Sequence, residues 1–288
     1  MQVKPYLKWV GGKTRVLPVL KNEIRERGVL VEPFTGAGSV FMGLEFEYYL
    51  CGDFNGDLIN CHLRVQQDVN EFIKGVKHYF SKKYLNEKAY IKNREIFNTT
   101  NDLVQKACLF TYLNKHGYNG LCRYNKKGGY NVSWGKKLHT VDPEIDMIKA
   151  FHVKAQRAKF IHQHYTKTFA QAPINAVIYC DPPYLPTDDK PSFTQYTKTG
   201  FPLVEQQTVA ILAEQYKSTN AVLISNHNTE ISRELYRGAT KTVNLEVTRS
   251  VACSNVSRGK AKEILAIYGD PLNEEVNCFN HGVTTNRM

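Results

Sequence analysis

The chain has 288 residues, 42% hydrophobic and 23% charged, with 19 Gly and 11 Pro, a globular mixture that excludes a disordered, collagen-like or coiled-coil chain. The length suits one large α/β domain with an insertion, and the formal net charge of +11 suits a polyanionic partner. Apolar runs such as Ala176 to Cys180 and Ala221 to Ile224 fall far short of the ~20 residues of a membrane helix, so no membrane role is expected.

Met1 to Trp9 has no apolar h-region and no A-x-A site, which points to a protein that stays in the cytosol. Val29 to Glu32 is the first predicted strand, and Val31-Glu32-Pro33-Phe34-Thr35-Gly36-Ala37-Gly38-Ser39 runs out of it. A Gly-x-Gly at a strand's carboxyl end lets a ligand approach the backbone where open α/β sheets bind nucleotides. The third glycine of the dinucleotide fingerprint is missing, which argues against a dehydrogenase. Tyr48 to Asp53 is the second strand. Asp53, at its end, is placed either to accept hydrogen bonds from ribose hydroxyls or to cap a helix over Asn55 to Leu63.

Residues 56–155 have a different character and are predicted to form an inserted, mostly helical subdomain. Leu103, Ala107 and Phe110 follow helical spacing, with a stop near Gly117. A hairpin comes next: Leu121 to Asn125 and Tyr130 to Trp134 flank Lys126-Lys127-Gly128-Gly129. Around it, residues 115–137 carry six Lys/Arg and no acid, interleaved with Tyr118, Tyr124, Tyr130 and Trp134, rings on which bases can stack. Residues 1–15 and 248–262 are likewise free of acid, with four Lys/Arg each. Outside these three segments 24 Lys/Arg face 27 Asp/Glu, so the body is nearly neutral and one face is expected to receive the polyanion.

Phe160 to His162, Ala176 to Asp181, Ala221 to Ser225, Lys241 to Val247 and Glu263 to Tyr268 complete seven predicted strands. Several are unbroken apolar runs, as expected of strands covered on both faces. The expectation is a doubly wound α/β core from residues 1–55 and 156–270, followed by a polar tail, 271–288. Seven scattered cysteines without a C-x-x-C pair read as reduced core thiols. His162 and His164 lack companion ligands, so no metal is expected.

Asp181-Pro182-Pro183-Tyr184 is the most informative segment. Two prolines remove two backbone donors and fix both φ angles, so the carboxylate and the following carbonyl are held rigidly beside an aromatic ring. That arrangement suits an exocyclic amine on a flat heterocycle. Its lone pair is delocalised into the ring, and hydrogen bonds from its protons to Asp181 and the Pro182 carbonyl would favour a more tetrahedral, nucleophilic nitrogen while Tyr184 stacks on the base. In a duplex the base must first be flipped out.

With Leu7-Lys8-Trp9-Val10-Gly11-Gly12-Lys13, Leu113 to Asn125 and Ser225-Asn226-His227, these motifs run in one order from about Tyr6 to Tyr268, and the chain resembles the Dam-type DNA adenine-N6 methyltransferases. The resemblance implies a seven-stranded Rossmann-like methyltransferase core, S-adenosylmethionine as methyl donor without a metal, a target-recognition insertion and adenine methylation within GATC of double-stranded DNA. It implies no obligatory protein partner. It places Trp9, Lys13, Asp53 and Asp181 around the donor, with Phe34, Gly36 and Gly38 in the loop beside it. Taken singly, Trp9 could equally be a core anchor and Lys13 a surface cation. It assigns catalysis to Asp181, Pro182 and Tyr184. Arg123 and Lys8 are expected on guanine edges, with phosphate contacts as the alternative, Tyr118 and Asn119 at the disturbed base step, and Leu121 also against DNA. Ser133-Trp134 replaces the family's usual Pro-Phe after the hairpin, which leaves base contacts from that corner open. The basic loop 249–262 is expected to clamp phosphate. Two other acceptors of methyl, cytosine N4 and a glutamine amide, would use related motifs, but the Asp at position 181 and the hairpin argue against both. A catalytically silent DNA-binding regulator would not need the intact donor loop.

Overall fold

The computed structural model describes residues 4–137, 139, 141–185, 201–248 and 260–271. The seven strands among them are β1 (Val29–Glu32), β2 (Tyr48–Asp53), β3 (Ala158–His162), β4 (Val177–Cys180), β5 (Ala221–His227), β6 (Lys241–Thr248) and β7 (Lys260–Tyr268). They form one sheet in the order β3-β2-β1-β4-β5-β7-β6. The first five are parallel, and β7 lies antiparallel between β5 and β6. From β1 the chain winds outward through β2 and β3, then returns to β4 and winds the other way. Loops leaving the carboxyl ends of β1 and β4 therefore diverge and open a crevice. Register Leu30↔Val177 and Val31↔Ile178 puts Glu32 and Asp181 on its two sides.

Period-two alternation sorts the strand residues between two apolar layers. Leu30, Tyr49, Cys51, Val177, Tyr179 and Leu223 face one layer, while Val31, Leu50, Ile178, Cys180, Val222 and Ile224 face the other. Both faces are covered, which is why the strands read as continuous apolar runs.

Helices α1 (Leu17–Glu23) and α2 (Ser39–Gly43) flank β1, and α3 (Gly56–Gln67), α4 (Val69–Tyr79), α5 (Glu87–Thr99), α6 (Leu103–His116) and α7 (Ile145–Ala155) fill the segment between β2 and β3. Asx side chains start four of these: Asn55, Asp68, Asn86 and Asp102 each accept a backbone N–H from the first turn of α3, α4, α5 and α6. α3 packs on β2, β3, α6 and α7, tying this helical segment to the sheet. Helices α8 (Tyr165–Ala170), α9 (Leu203–Tyr216) and α10 (Glu230–Leu235) follow. No helix among the described residues is long and apolar enough to cross a membrane.

The expected hairpin differs from two regular strands. Only two bridges form, Gly117↔Trp134 and Tyr124↔Tyr130, around a tight turn closed by Gly128 N–H to the Asn125 carbonyl at 2.8 Å. Side chains of α5 hold the hairpin from outside. Asn98 bonds both the N–H and the carbonyl of Tyr130, and Tyr90 and Arg94 both donate to the Val132 carbonyl. In the Tyr124↔Tyr130 pairing the ladder bonds are Asn125 N–H to the Gly129 carbonyl and Asn131 N–H to the Arg123 carbonyl, so the groups held by α5 point away from the partner segment and α5 satisfies the outer edge of the hairpin.

The aromatic rings of this segment also depart from the expectation of a stacking surface. Tyr130 is buried with its hydroxyl on the Leu121 carbonyl, and Tyr124 is half-buried and donates to Asp57 at 2.8 Å. Trp134 is partly buried against the core. Tyr118, 48% exposed, is the ring that faces solvent. Most of the loop 249–262 and of the tail lie outside the described residues, as do Cys253 and Cys278. The other five cysteines are free and buried.

Candidate active site

The loop after β1 is shaped by its glycines. Gly36 and Gly38 have φ of +52° and +79°, a region that favours glycine. A Cβ at Gly36 would lie 2.9 Å from Trp9 Nε1, so the indole rests directly on this peptide. Asp53 Oδ2 accepts the Gly36 N–H at 2.9 Å, and Oδ1 accepts the Asn55 N–H at 2.9 Å. Asn55 itself caps α3, which removes the reading of Asp53 as the helix cap. Burial raises the Asp53 carboxyl above its ordinary range, against the pull of those two N–H groups. Phe34 stacks on Tyr165, with ring centres 5.1 Å apart.

A residue without any sequence signal closes this loop from below. His62 lies on the buried face of α3, and its Nε2 donates to the Gly36 carbonyl at 2.9 Å, because a carbonyl can only accept. Nδ1 is then the acceptor for the Tyr6 hydroxyl at 3.0 Å. Burial lowers the His62 pKa to about 4, so the imidazole is neutral at physiological pH.

Across the crevice, Asp181 pairs with Lys13 at 2.8 Å. The Lys13 ammonium also donates to the Gly11 carbonyl at 2.6 Å and stands 4.6 Å from the centre of the Tyr184 ring. Burial pushes the Asp181 carboxyl up, and the adjacent Lys13 charge draws it back down. Tyr184 donates to Glu263 on β7 at 3.0 Å and meets the His227 ring edge-on at 4.8 Å. Gln206 on α9 donates to the Pro183 carbonyl at 2.6 Å, and Asn226 accepts the Leu185 N–H at 3.0 Å. Cys180, beside the motif, points into the apolar layer.

The expected DNA-reading residues lie together although they are over 100 positions apart in sequence. Asn114, buried on α6, accepts the Lys8 N–H at 2.8 Å and donates to the Lys8 carbonyl at 2.7 Å. A Cβ at Gly120 would lie 2.7 Å from Lys8 Cβ, so the lysine stem packs on the turn that presents Tyr118 and Asn119. Asn119 adopts a left-handed conformation, φ 52°, and both residues are exposed. Leu121 follows, half-buried. Burial, then the charges of Lys137 and Lys115, lower the Lys8 pKa, as expected of cations gathered for an anion. On the hairpin, Asn131 braces Arg123 through Nε at 2.8 Å and Nη2 at 3.3 Å.

The residues around the crevice fit a sulfonium nucleoside. Two positive-φ glycines leave the backbone bare, Asp53 offers carboxylate lone pairs, and Glu32 Oε1 is a buried polar atom with no hydrogen-bond partner. Burial, then the Asp181 charge, pushes the Glu32 carboxyl well above its ordinary range. Among the described residues no group of three His, Cys, Asp or Glu side chains is arranged to hold a metal ion. His62, Asn114, Gln206 and Glu263 are the site residues that sequence reading misses. Each sits within a helix or strand pattern, and only its polarity at a buried position marks it.

The family model for D12 class N6 adenine-specific DNA methyltransferases matches residues 9–251. A DNA adenine methylase of Vibrio cholerae O395 is 40% identical over 274 residues, covering 94% of this chain and 98% of the relative. The DNA adenine methylase of Escherichia coli K12 is 39% identical over 266 residues, with 92% and 95% covered, and that of Serratia marcescens 38% over 267, with 92% and 98%. With the acidic turn, the glycine loop and the basic hairpin gathered on one rim of the sheet, the chain belongs to the D12 class of N6 adenine-specific DNA methyltransferases.

Proposed function

We propose that the chain transfers a methyl group from S-adenosylmethionine to N6 of an adenine turned out of duplex DNA, within GATC. The observation that carries this reading is the environment of the Lys13 ammonium: the Asp181 carboxylate pairs with it, the Gly11 carbonyl accepts its N–H, and the face of Tyr184 lies beside it. Asp181 and the Tyr184 ring thus already accommodate an N–H-bearing cation beside the turn, the same chemistry an exocyclic amine would ask of them. S-adenosylmethionine, when bound, supplies an electrophilic methyl group. Asp53 would hold ribose hydroxyls, while Gly36 and Gly38 would let the nucleoside lie against the loop. Trp9 and His62 keep that loop in place.

At the turn, Asp181 would accept one N6 hydrogen and the Pro182 carbonyl the other, with Tyr184 stacked on the base. Lys13 keeps one carboxylate oxygen and so favours the charged form of Asp181 against the effect of burial. The N6 proton released on methylation can pass to Asp181. No covalent enzyme intermediate is needed, and positioning and desolvation dominate. Arg123 and Lys8 would read guanine edges, Tyr118, Asn119 and Leu121 would support the opened base step, and Lys126 and Lys127 would lie on phosphates.

The test is to incubate unmethylated plasmid with protein and S-adenosylmethionine, then digest with nucleases that distinguish methylated from unmethylated GATC. Asp181→Ala should lose methyl transfer by orders of magnitude with DNA affinity retained. Near-normal turnover by the folded variant would remove Asp181 from the chemistry.

A further inference from the structure

The peptide on either side of Tyr184 is held independently of its ring. Gln206 bonds the Pro183 carbonyl, Asn226 accepts the Leu185 N–H, and His227 Nδ1 donates to the Leu185 carbonyl at 2.6 Å. Asn226 also donates to Gln206 at 3.0 Å and to the Tyr236 hydroxyl at 2.9 Å, so this buried pair forms a satisfied network. Backbone placement of Tyr184 is therefore settled by β5 and α9. What remains is the direction in which its phenol proton points.

Two carboxylates compete for that proton. Lys13 brings the Tyr184 ring and the Asp181 carboxylate together, 4.6 Å from the ring centre and 2.8 Å from the carboxylate, and the Tyr184 hydroxyl donates to Glu263 Oε2 at 3.0 Å. Glu263 stands opposite His227 in the β5–β7 register, 9% exposed, on the side of the sheet where Tyr184 lies. A phenol has one proton, so whichever carboxylate accepts it decides whether Asp181 is free for another donor.

We propose that Glu263 is a positioning residue for methyl transfer: by accepting the Tyr184 hydroxyl proton it keeps that proton off Asp181 and leaves the Asp181 carboxylate to the target amine. This rests on the reading of Asp181 as the acceptor of the N6 hydrogens. Without an acceptor at position 263 the hydroxyl turns to Asp181 and occupies the lone pair the amine requires.

Three variants of the full chain decide the matter, assayed on a GATC duplex with S-adenosylmethionine beside the wild type. Glu263→Gln and Glu263→Leu both remove the charge, but only glutamine retains an oxygen acceptor. Glu263→Gln should stay within about twofold of wild-type kcat, while Glu263→Leu should lose about tenfold or more, with KM for DNA unchanged in both. Adding Tyr184→Phe to Glu263→Leu removes the competing proton and should restore at least about threefold of the lost kcat. If Glu263→Leu does not fold, Glu263→Met, unbranched and equally without an oxygen, takes its place. Equal rates for Gln and Leu, or no recovery on adding Tyr184→Phe, would overturn the inference while leaving the reaction intact. A wild type that methylates no GATC duplex would overturn the reading of the reaction and this inference with it.

Discussion

Asn114→Leu separates fold stability from sequence reading. The amide makes three hydrogen bonds, two to the Lys8 peptide at 2.8 and 2.7 Å and one to the Gly120 carbonyl at 3.4 Å. The longest is weak. The two short ones contribute about 1 kcal/mol each, and the Lys8 N–H and carbonyl they serve face the buried Asn114 side chain and lose that partner. Leucine has the same branching and a larger volume, so no cavity forms and any misfit is overpacking at a buried position. The expected loss of unfolding free energy is therefore at least about 2 kcal/mol, read from urea denaturation. The larger consequence is geometric: Lys8 loses its fixed height above the Tyr118–Gly120 turn, and a base contact needs that height. Methylation of GATC relative to sites altered at the guanine should lose about tenfold in discrimination, equivalent to ~1.4 kcal/mol. Discrimination equal to wild type in a variant destabilised by the expected amount would show that Lys8 reads no base through this clamp.

Arg123→Ala should cost roughly 1 to 3 kcal/mol on GATC and much less on DNA altered at the contacted guanine, whereas Lys126→Ala should weaken all sequences alike and make the salt dependence shallower by about one unit. Methylation rates on each singly substituted site at two salt concentrations decide this, and a uniform loss for Arg123→Ala would leave it a phosphate contact. Stability should also fall with acid above pH 4. His62 and His116 are both lowered to about 4 by burial, so between pH 6.5 and 4 the unfolded chain takes up protons that the folded chain refuses. Each imidazole then removes up to about 1.4 kcal/mol per pH unit, and a flat unfolding free energy from pH 7 to 5 would contradict the buried, neutral assignment.

The catalytic rim was legible because its chemistry is local in sequence. Asp181-Pro182-Pro183-Tyr184 and the Gly36 loop each carry their proposed chemistry within a few residues, and short β-rich runs, several of them unbroken apolar stretches, placed all seven strands to within three residues. The supports were not legible. His62 reaches Gly36 across 26 positions, Asn114 reaches Lys8 across 106, and Glu263 reaches Tyr184 across 79. Their partners are set by packing of α3, α6 and β7, which no local spacing encodes. Rings misled for a similar reason: Tyr124 and Tyr130 interleave with cations in sequence, yet their hydroxyls find Asp57 and the Leu121 carbonyl and the rings turn inward. Ser225-Asn226-His227 stood out as a marker without a task, and the structure gives Asn226 and His227 one, as clamps on the peptide after Tyr184.

The dependence of the hairpin on α5 bears on how recognition can be exchanged between enzymes. Residues 118–134 are not a self-sufficient cassette, because the Tyr130 and Val132 carbonyls draw their donors from Asn98, Tyr90 and Arg94, one face of a helix more than twenty positions upstream. A chimera carrying only the hairpin would strand those carbonyls at about 1 to 3 kcal/mol apiece and misplace Arg123 along with them. For the proposed DNA-reading role, the unit to exchange is the helix and the loop together.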